Sequence, residues 1–570
     1  MTVDTSPSLF PPPTTDVLII GGGPAGSYAA SVLSREGITV TILESATFPR
    51  YHVGESLLPS VRNFLRFIGA EEKVANYGFT RKPGGAIRFN HDKQEAYTDF
   101  VAIGQENSSW NVVRSEFDNL LLKHARSCGA LVYEQTRVTS VNFAEKDTTR
   151  PISVSWTSTL SKQANLRATG AAATQGVTYF KYLIDTSGRE GIMSTKYLEN
   201  RHWNQTLKNI AVWGYWRNGG SYGVGTTREG APYFEALLDE SGWAWYIPIN
   251  DGTSSVGFVR NQDMYRKDKQ SSEANLGTIF DSSATPNPSG STTVARYISM
   301  FRLAPGIVKL ITKKGTLVEG SVRSASDYSY SARKYAGTGF RIAGDAGAFI
   351  DPFFSSGVHL AMTSALSAAV SVCASIRGDC TEEQAAEWHT ARFSTSYTRF
   401  QIVVLSAYKQ LRSHKASILS DVSEDDYNRA FAFLRPIIQG GSEMGAQLYQ
   451  RELQDSLDFC AKLFGATSPE SHRGLTANPN IEPELLDLAG PVVSQNELEI
   501  ALRGIPHMDD IENEDPRNSK VNSDEARLLL EKINARRVLN GEYSVNGFEA
   551  ENLNGLMIRL ERGSLGLQRV

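Results

Sequence analysis

Asp16-Val-Leu-Ile-Ile-Gly-Gly-Gly-Pro-Ala-Gly26 opens the chain's first recognisable unit. Residues 16–20 are a short apolar run of the kind that forms a buried parallel strand. Gly21, Gly23 and Gly26 follow in G-x-G-x-x-G register, with Ala25 among them, and residues 24–36 read as a helix. The first glycine permits a tight turn and the second lets backbone approach a pyrophosphate. The third lets helix and strand pack closely, leaving the diphosphate at a helix N-terminus, where free N–H groups favour negative charge. A second strand, residues 38–43, ends at Glu44, where an acidic side chain takes ribose hydroxyls. Strand, glycines, helix, strand and acid in this order predict a dinucleotide-binding unit.

The totals bound the rest. With 570 residues the chain is expected to hold two or three domains. A net charge of −4 argues against bulk nucleic-acid binding, which needs a basic face. Cys128, Cys373, Cys380 and Cys460 show no C-x-x-C spacing, so neither a disulfide scaffold nor a metal site is expected, and a reducing, cytoplasmic setting is the simpler one. The first fifteen residues are rich in Pro, Ser and Thr and lack the basic-then-apolar order of a secretory signal. The most apolar region, residues 346–376, is interrupted by Asp351 and Pro352, and reads as a buried helix after a loop rather than a membrane span.

Along the chain, residues 1–14 read as a disordered lead. A Gly/Pro-punctuated loop after Phe48 enters a helix over residues 59–67, and Arg114–Ser127 has the apolar spacing of an amphipathic helix. Strands are expected at 138–143, 152–156 and 178–184, with residues 159–176 a surface loop. After the glycine-bearing turn Asp185 to Gly191, strands at 210–216, 233–238, 243–249 and 254–259 suggest an antiparallel sheet. Residues 340–343 form a short strand running into Gly344-Asp345, and a helix follows over 358–376. From about residue 381 the pattern is mostly helical, at 382–411, 424–437, 446–463 and 524–539.

The glycine turn, Arg114 at a helix start, the 185–191 turn and Gly344-Asp345 together resemble the flavin-containing monooxygenase superfamily. The resemblance spans roughly residues 15–375 and implies an α/β (α+β) architecture. A Rossmann-like FAD domain (15–200 and 317–380) would carry an inserted β-sheet domain (201–316) and be followed by a mostly helical C-terminal domain (381–570).

Three further motifs resemble the flavin-dependent halogenases within that superfamily, nearest to the fungal phenol type. Trp243-Ala-Trp245-Tyr-Ile247-Pro248 fits W-x-W-x-I-P; alternate tryptophans project to one face of a strand, either to keep organic substrate away from the flavin or as an aromatic core. Asp351-Pro-Phe-Phe-Ser-Ser-Gly357 resembles the halide loop, where Ser356 and Gly357 would offer backbone N–H groups to chloride or bromide at a helix start. Gly78-Phe-Thr-Arg-Lys82-Pro-Gly-Gly resembles the segment that carries a catalytic lysine. Lys82 is the only lysine in that window, and arginines do not readily give up a proton. Gly54-Glu55-Ser56 matches a loop beside the flavin.

The resemblance implies that reduced FAD, O2 and halide yield hypohalous acid. Lys82 would then relay it to an electron-rich phenolic ring of polyketide type, either as a haloamine or through a hydrogen bond. Phe354 stands where tryptophan halogenases carry a glutamate, which fits a phenol that directs attack itself. His52 and His359 flank these motifs, each as a base or as structure. With no second dinucleotide fingerprint, a separate NADH- or NADPH-dependent flavin reductase is expected, and the substrate is a small molecule, free or held on a carrier protein. The rival reading is an FAD-dependent aromatic hydroxylase, which has no need of Lys82 or the tryptophan motif; a flavin-binding protein without turnover is a third.

Overall fold

The computed structural model describes residues 9–92, 95–101, 104–160, 173–267, 292–311, 314–326, 329–411, 446–465, 467, 469–479, 481–503, 505 and 522–570. The expected helix at 424–437, with Tyr427, Phe431 and Phe433, lies outside them.

The opening strand, Thr14–Ile20, is central to a parallel sheet, as its unbroken apolar run requires. Its neighbours are Thr174–Asp185 on one side and Val40–Leu43 on the other, with Phe340–Ile342 and Leu131–Tyr133 beyond. The helices Pro24–Arg35, Arg114–Ser127 and Gly357–Arg377 cover this sheet. Gly357–Arg377 is long and apolar enough to cross a bilayer, yet it is buried inside the molecule between Pro24–Arg35 and Glu382–Leu411. Its Ala and Ser residues let those helices approach closely.

The strand Thr174–Asp185 begins earlier than the strand expected at 178–184 and takes in the end of the expected surface loop at residues 159–176, of which 161–172 lie outside the described residues. Its first half pairs antiparallel with Pro151–Ser158 and its second half joins the parallel sheet. One strand thus serves two neighbours, and its polar first half faces water, which hides it from an apolar-run criterion. Residues 9–13 lie against this strand pair: Phe10 stacks on Trp156 of Pro151–Ser158, and Thr178 Oγ1 donates to the Pro12 carbonyl.

The second sheet runs in the order Thr316–Leu317, Asn209–Arg217, Thr253–Asn261, Gly242–Pro248, Tyr233–Ala236, Gly84–Arg88, Ala96–Asp99. It is antiparallel except where Tyr233–Ala236 pairs parallel with Gly84–Arg88. It therefore recruits strands from outside 201–316, and the chain arrives at it directly from Lys82.

Beyond residue 381 the described chain is helical until a terminal hairpin, Leu556–Arg559 with Gly566–Arg569. Glu36, just after the first helix, accepts the Gly563 and Leu565 N–H groups (2.9 and 3.2 Å). Tyr397, Phe400 and Tyr408 are buried in the core between this region and the second sheet.

Candidate active site

The glycine turn is built as its spacing demands. Gly21 has φ +97°, and a Cβ there would stand 2.5 Å from the Thr186 carbonyl oxygen. A Cβ on Gly26 would come within 2.0 Å of the Gly21 carbonyl oxygen, so helix and strand touch there. Gly23 differs: a Cβ would meet only Arg50 Nη2, at 3.3 Å, because the residue borders a cavity of ≈ 460 Å3. Gly21, Ala25 and Glu44 share that wall, whereas Gly26 sits behind it. Glu44 accepts the N–H groups of Gly22 and Ala46, both at 2.7 Å, which fixes its carboxylate at the cavity edge.

The same cavity is lined by Gly54, Glu55, Ser56, Arg114 and Asp345. Arg114 is clamped on Asp118 by two bonds of 2.9 and 3.1 Å and also donates to the Val53 carbonyl (2.8 Å). Gly54 has φ +105°, and a Cβ there would press on Arg114 Nη1 at 2.9 Å, so this loop needs its glycine. Asp118 escapes a motif search, although its position four residues after Arg114 on a helix is the signal that finds it. Asp345 faces the cavity but not bulk water, and desolvation raises its carboxyl to about 6. Gly344, at φ +63°, packs its Cα against Ala25 and donates its N–H to Ser364 Oγ (2.8 Å). Burial lowers His52 and His359 to about 4, so both are neutral near pH 7.

Trp243, Trp245 and Ile247, alternate residues of one strand, also line the cavity; Pro248 closes the strand without reaching the wall. The two indoles lie 5.6 Å apart. Trp243 Nε1 donates to Tyr408 Oη (3.0 Å), and Tyr408 donates to Asp351 Oδ2 (2.8 Å), which also accepts from Asn209 (3.0 Å). This network ties the tryptophan strand to the 351–357 loop, and pairwise motif matching does not reveal it. Ser355 turns the loop at φ +55°, and Ser356 caps helix Gly357–Arg377. Ser355 and Gly357 line the cavity, while Ser356 is fully buried with its Oγ unpartnered. A buried hydroxyl without a partner, next to the unpaired N–H groups of a helix start, is a site short of an acceptor.

Lys82 does not line this cavity. It borders a second, of ≈ 50 Å3, whose wall shares Phe234 and Ser355 with the first. The side chain is 3% exposed, and its Nζ donates to Ser56 Oγ and the Leu57 carbonyl, both at 2.8 Å. Burial lowers its pKa to about 7. Two of its positions are taken, leaving a single N–H or lone pair at Nζ. Ser56, one residue beyond Glu55, thus connects the flavin-side loop with Lys82.

The tryptophan halogenase family profile matches residues 16–159 and 105–417. The chain is 47% identical to the flavin-dependent halogenase armH1 of Armillaria mellea, over 98% of this chain and 99% of that one. The chain belongs to the tryptophan halogenase family. It is 39% identical to the sulochrin halogenase gedL of Aspergillus terreus, over 98% of this chain and 94% of that one. Among solved structures, the myxobacterial chondrochloren halogenase CndH aligns with TM-score 0.59 at 26% identity, over 80% of this chain and 98% of that one. The protein is an FAD-dependent halogenase with a Rossmann-like FAD-binding fold. The ≈ 460 Å3 cavity fits that cofactor: the free approach to Gly23, the fixed Glu44 carboxylate, Arg114 and Asp345 all line the same cavity.

Proposed function

We propose that this halogenase installs chloride or bromide on a phenolic ring through Lys82, with the halide held at Ser356 and Gly357. The observation that carries the reading is Lys82 itself, an amine buried behind a cavity that shares Phe234 and Ser355 with the cofactor side.

Bound in its reduced form, FAD supplies the electrons with which O2 converts halide to hypohalous acid. The chain's own residues do the rest. Gly21, Gly23 and Ala25 cradle the diphosphate, with Gly26 behind them letting helix and strand close; Glu44 takes the ribose; Gly54, Glu55, Arg114, Gly344 and Asp345 border the remainder. The Ser356 O–H and the Gly357 N–H present positive ends to the halide. Trp243, Trp245 and Ile247 form an apolar wall, and Phe234 keeps an organic substrate on the Lys82 side. Near neutral pH the remaining position at Lys82 Nζ is either an N–H that polarises hypohalous acid or a lone pair that takes its halogen and releases water. In both cases the halogen replaces a ring hydrogen: with polarised hypohalous acid that hydrogen leaves with the oxygen as water, and with the haloamine, whose formation has already released water, it returns to the Lys82 nitrogen. The second cavity is smaller than a phenol, so Phe353 or Phe354 turns aside for substrate. Reduced flavin is taken from a separate reductase.

The test is reconstitution with FAD, a flavin reductase, NADH, chloride or bromide and a panel of phenols, read by mass spectrometry. A halogen isotope pattern that vanishes in Lys82→Ala is the expected result. Oxygen insertion without halogen, or unchanged product in the variant, refutes the reading.

A further inference from the structure

The second cavity contains a cation that halogen transfer at Lys82 does not use. Arg536, in the last turn of helix Ser523–Arg537, borders it together with Lys82, Tyr543 and Phe354. Arg536 is half-buried, and a guanidinium drawn out of water is costly to the extent that acceptors do not meet it. Elsewhere the chain obeys that rule: Arg114 closes on Asp118, Arg260 on Asp239, Arg341 on Glu382 and Arg392 on Glu542. The adjacent Arg537 donates to the carbonyls of Asp487, Pro491 and Glu484.

Arg536 is different. Among the described residues its guanidinium has no hydrogen bond or ion pair, and no carboxylate lines the cavity it faces. The Tyr543 hydroxyl also donates to no described residue. Around them, Lys532 is not available, because its Nζ donates to Tyr97 O, Gly465 O and Thr467 Oγ1 (2.7, 2.9 and 3.1 Å). Asp99 acts on Arg536 only from outside the lining. A cation and a hydroxyl donor, neither with a described partner, beside an aromatic wall make a receptor for an oxyanion carried on an aromatic ring.

We infer that Arg536, aided by Tyr543, is the specificity-determining residue that binds an anionic oxygen of the substrate, a phenolate or a carboxylate on the ring. This rests on the reading of Lys82 as the halogen-transferring group. Fixing one oxygen at Arg536 sets which ring carbon comes to Lys82 Nζ, so the arginine governs both affinity and the position halogenated. An ionised phenol held there is also the more electron-rich ring, which suits electrophilic attack.

The experiment uses FAD-loaded full-length protein, wild type, R536M, R536K and K82A. The probes are a hydroxybenzoate, its methyl ester, and an acidic phenol that is ionised at assay pH. Binding is measured calorimetrically without halide, and KM and kcat are measured in the reconstituted assay. R536M is expected to raise the ratio of KM for anionic over neutral probe at least tenfold, with R536K restoring much of it. Loss confined to the hydroxybenzoate assigns a carboxylate, and loss with the acidic phenol assigns a phenolate. Equal weakening of ester and anions, an unchanged ratio, or no wild-type binding of either anion at millimolar concentration overturns the inference. K82A that binds anions normally but still halogenates would instead overturn the role of Lys82 and leave Arg536 standing.

Discussion

At Lys82 the chain gives up stability to bury an amine. Its pKa is about 7 in the folded protein, against 10.5 for an ordinary lysine, because burial disfavours the ammonium. Between those values the unfolded chain binds more protons than the folded one, so this residue makes stability rise with pH across that window. Lys82→Met is therefore expected to be more stable than wild type below pH 7, by an amount on the order of a few kcal/mol. The gap should close towards pH 10.5; urea unfolding at pH 6.5 and 9.5 checks it. Lys82 is legible in the sequence because it is a lysine among arginines in a recognisable segment. Arg536 and Tyr543 are not, since nothing local distinguishes them from surface helix residues and only the fold brings them to the same cavity. Asp118 is intermediate: its meaning depends on knowing that Arg114 begins a helix.

Among the elements, the glycine turn is the most legible and the least tolerant. Gly26→Ala places a methyl group 2.0 Å from the Gly21 carbonyl oxygen, which neither backbone can yield. FAD retention, read by flavin absorbance after gel filtration, is expected to fall at least tenfold. The 351–357 loop behaves differently, because its backbone fold does not depend on the Ser356 hydroxyl, which has no partner. Ser356→Ala should keep the flavin and raise the KM for halide several-fold, the worth of about one hydrogen bond. A chloride titration at saturating reduced flavin measures it. Strand Thr174–Asp185 shows why elements with two kinds of neighbour are hard to read. Likewise the second sheet's pairing of Gly84–Arg88 with Tyr233–Ala236 is a long-range match that no local pattern announces.

Across the whole molecule, the C-terminal segment is locked to the catalytic body by a buried charge cluster. Glu542 receives Arg392 at 3.1 Å and Arg399 at 2.7 Å, and both arginines also reach Glu551 (2.7 and 2.6 Å). Burial would raise the Glu542 carboxyl, but Arg392 and Arg399 outweigh it and hold it at about 2. Glu542→Gln leaves two buried guanidinium groups short of charge and should cost about 3–5 kcal/mol. Because the folded pKa is depressed, that contribution is present above about 4.5 and fades as pH falls towards 2. The difference in unfolding midpoint between variant and wild type should narrow over that window. Tyr543 and Arg536 hang from this locked segment, so the cluster also positions the wall of the second cavity.

If oxidant formed on the cofactor side reaches substrate only through Lys82, removing that amine must redirect it. The measurement is the partition of oxidising equivalents between halogenated phenol and a small scavenger in solution, in wild type and Lys82→Met, at equal rates of flavin oxidation. Wild type should deliver halogen to the phenol with the scavenger present, while Lys82→Met should pass its oxidant to the scavenger and leave the phenol unmodified. Equal phenol halogenation in the two proteins, insensitive to the scavenger, would contradict the claim.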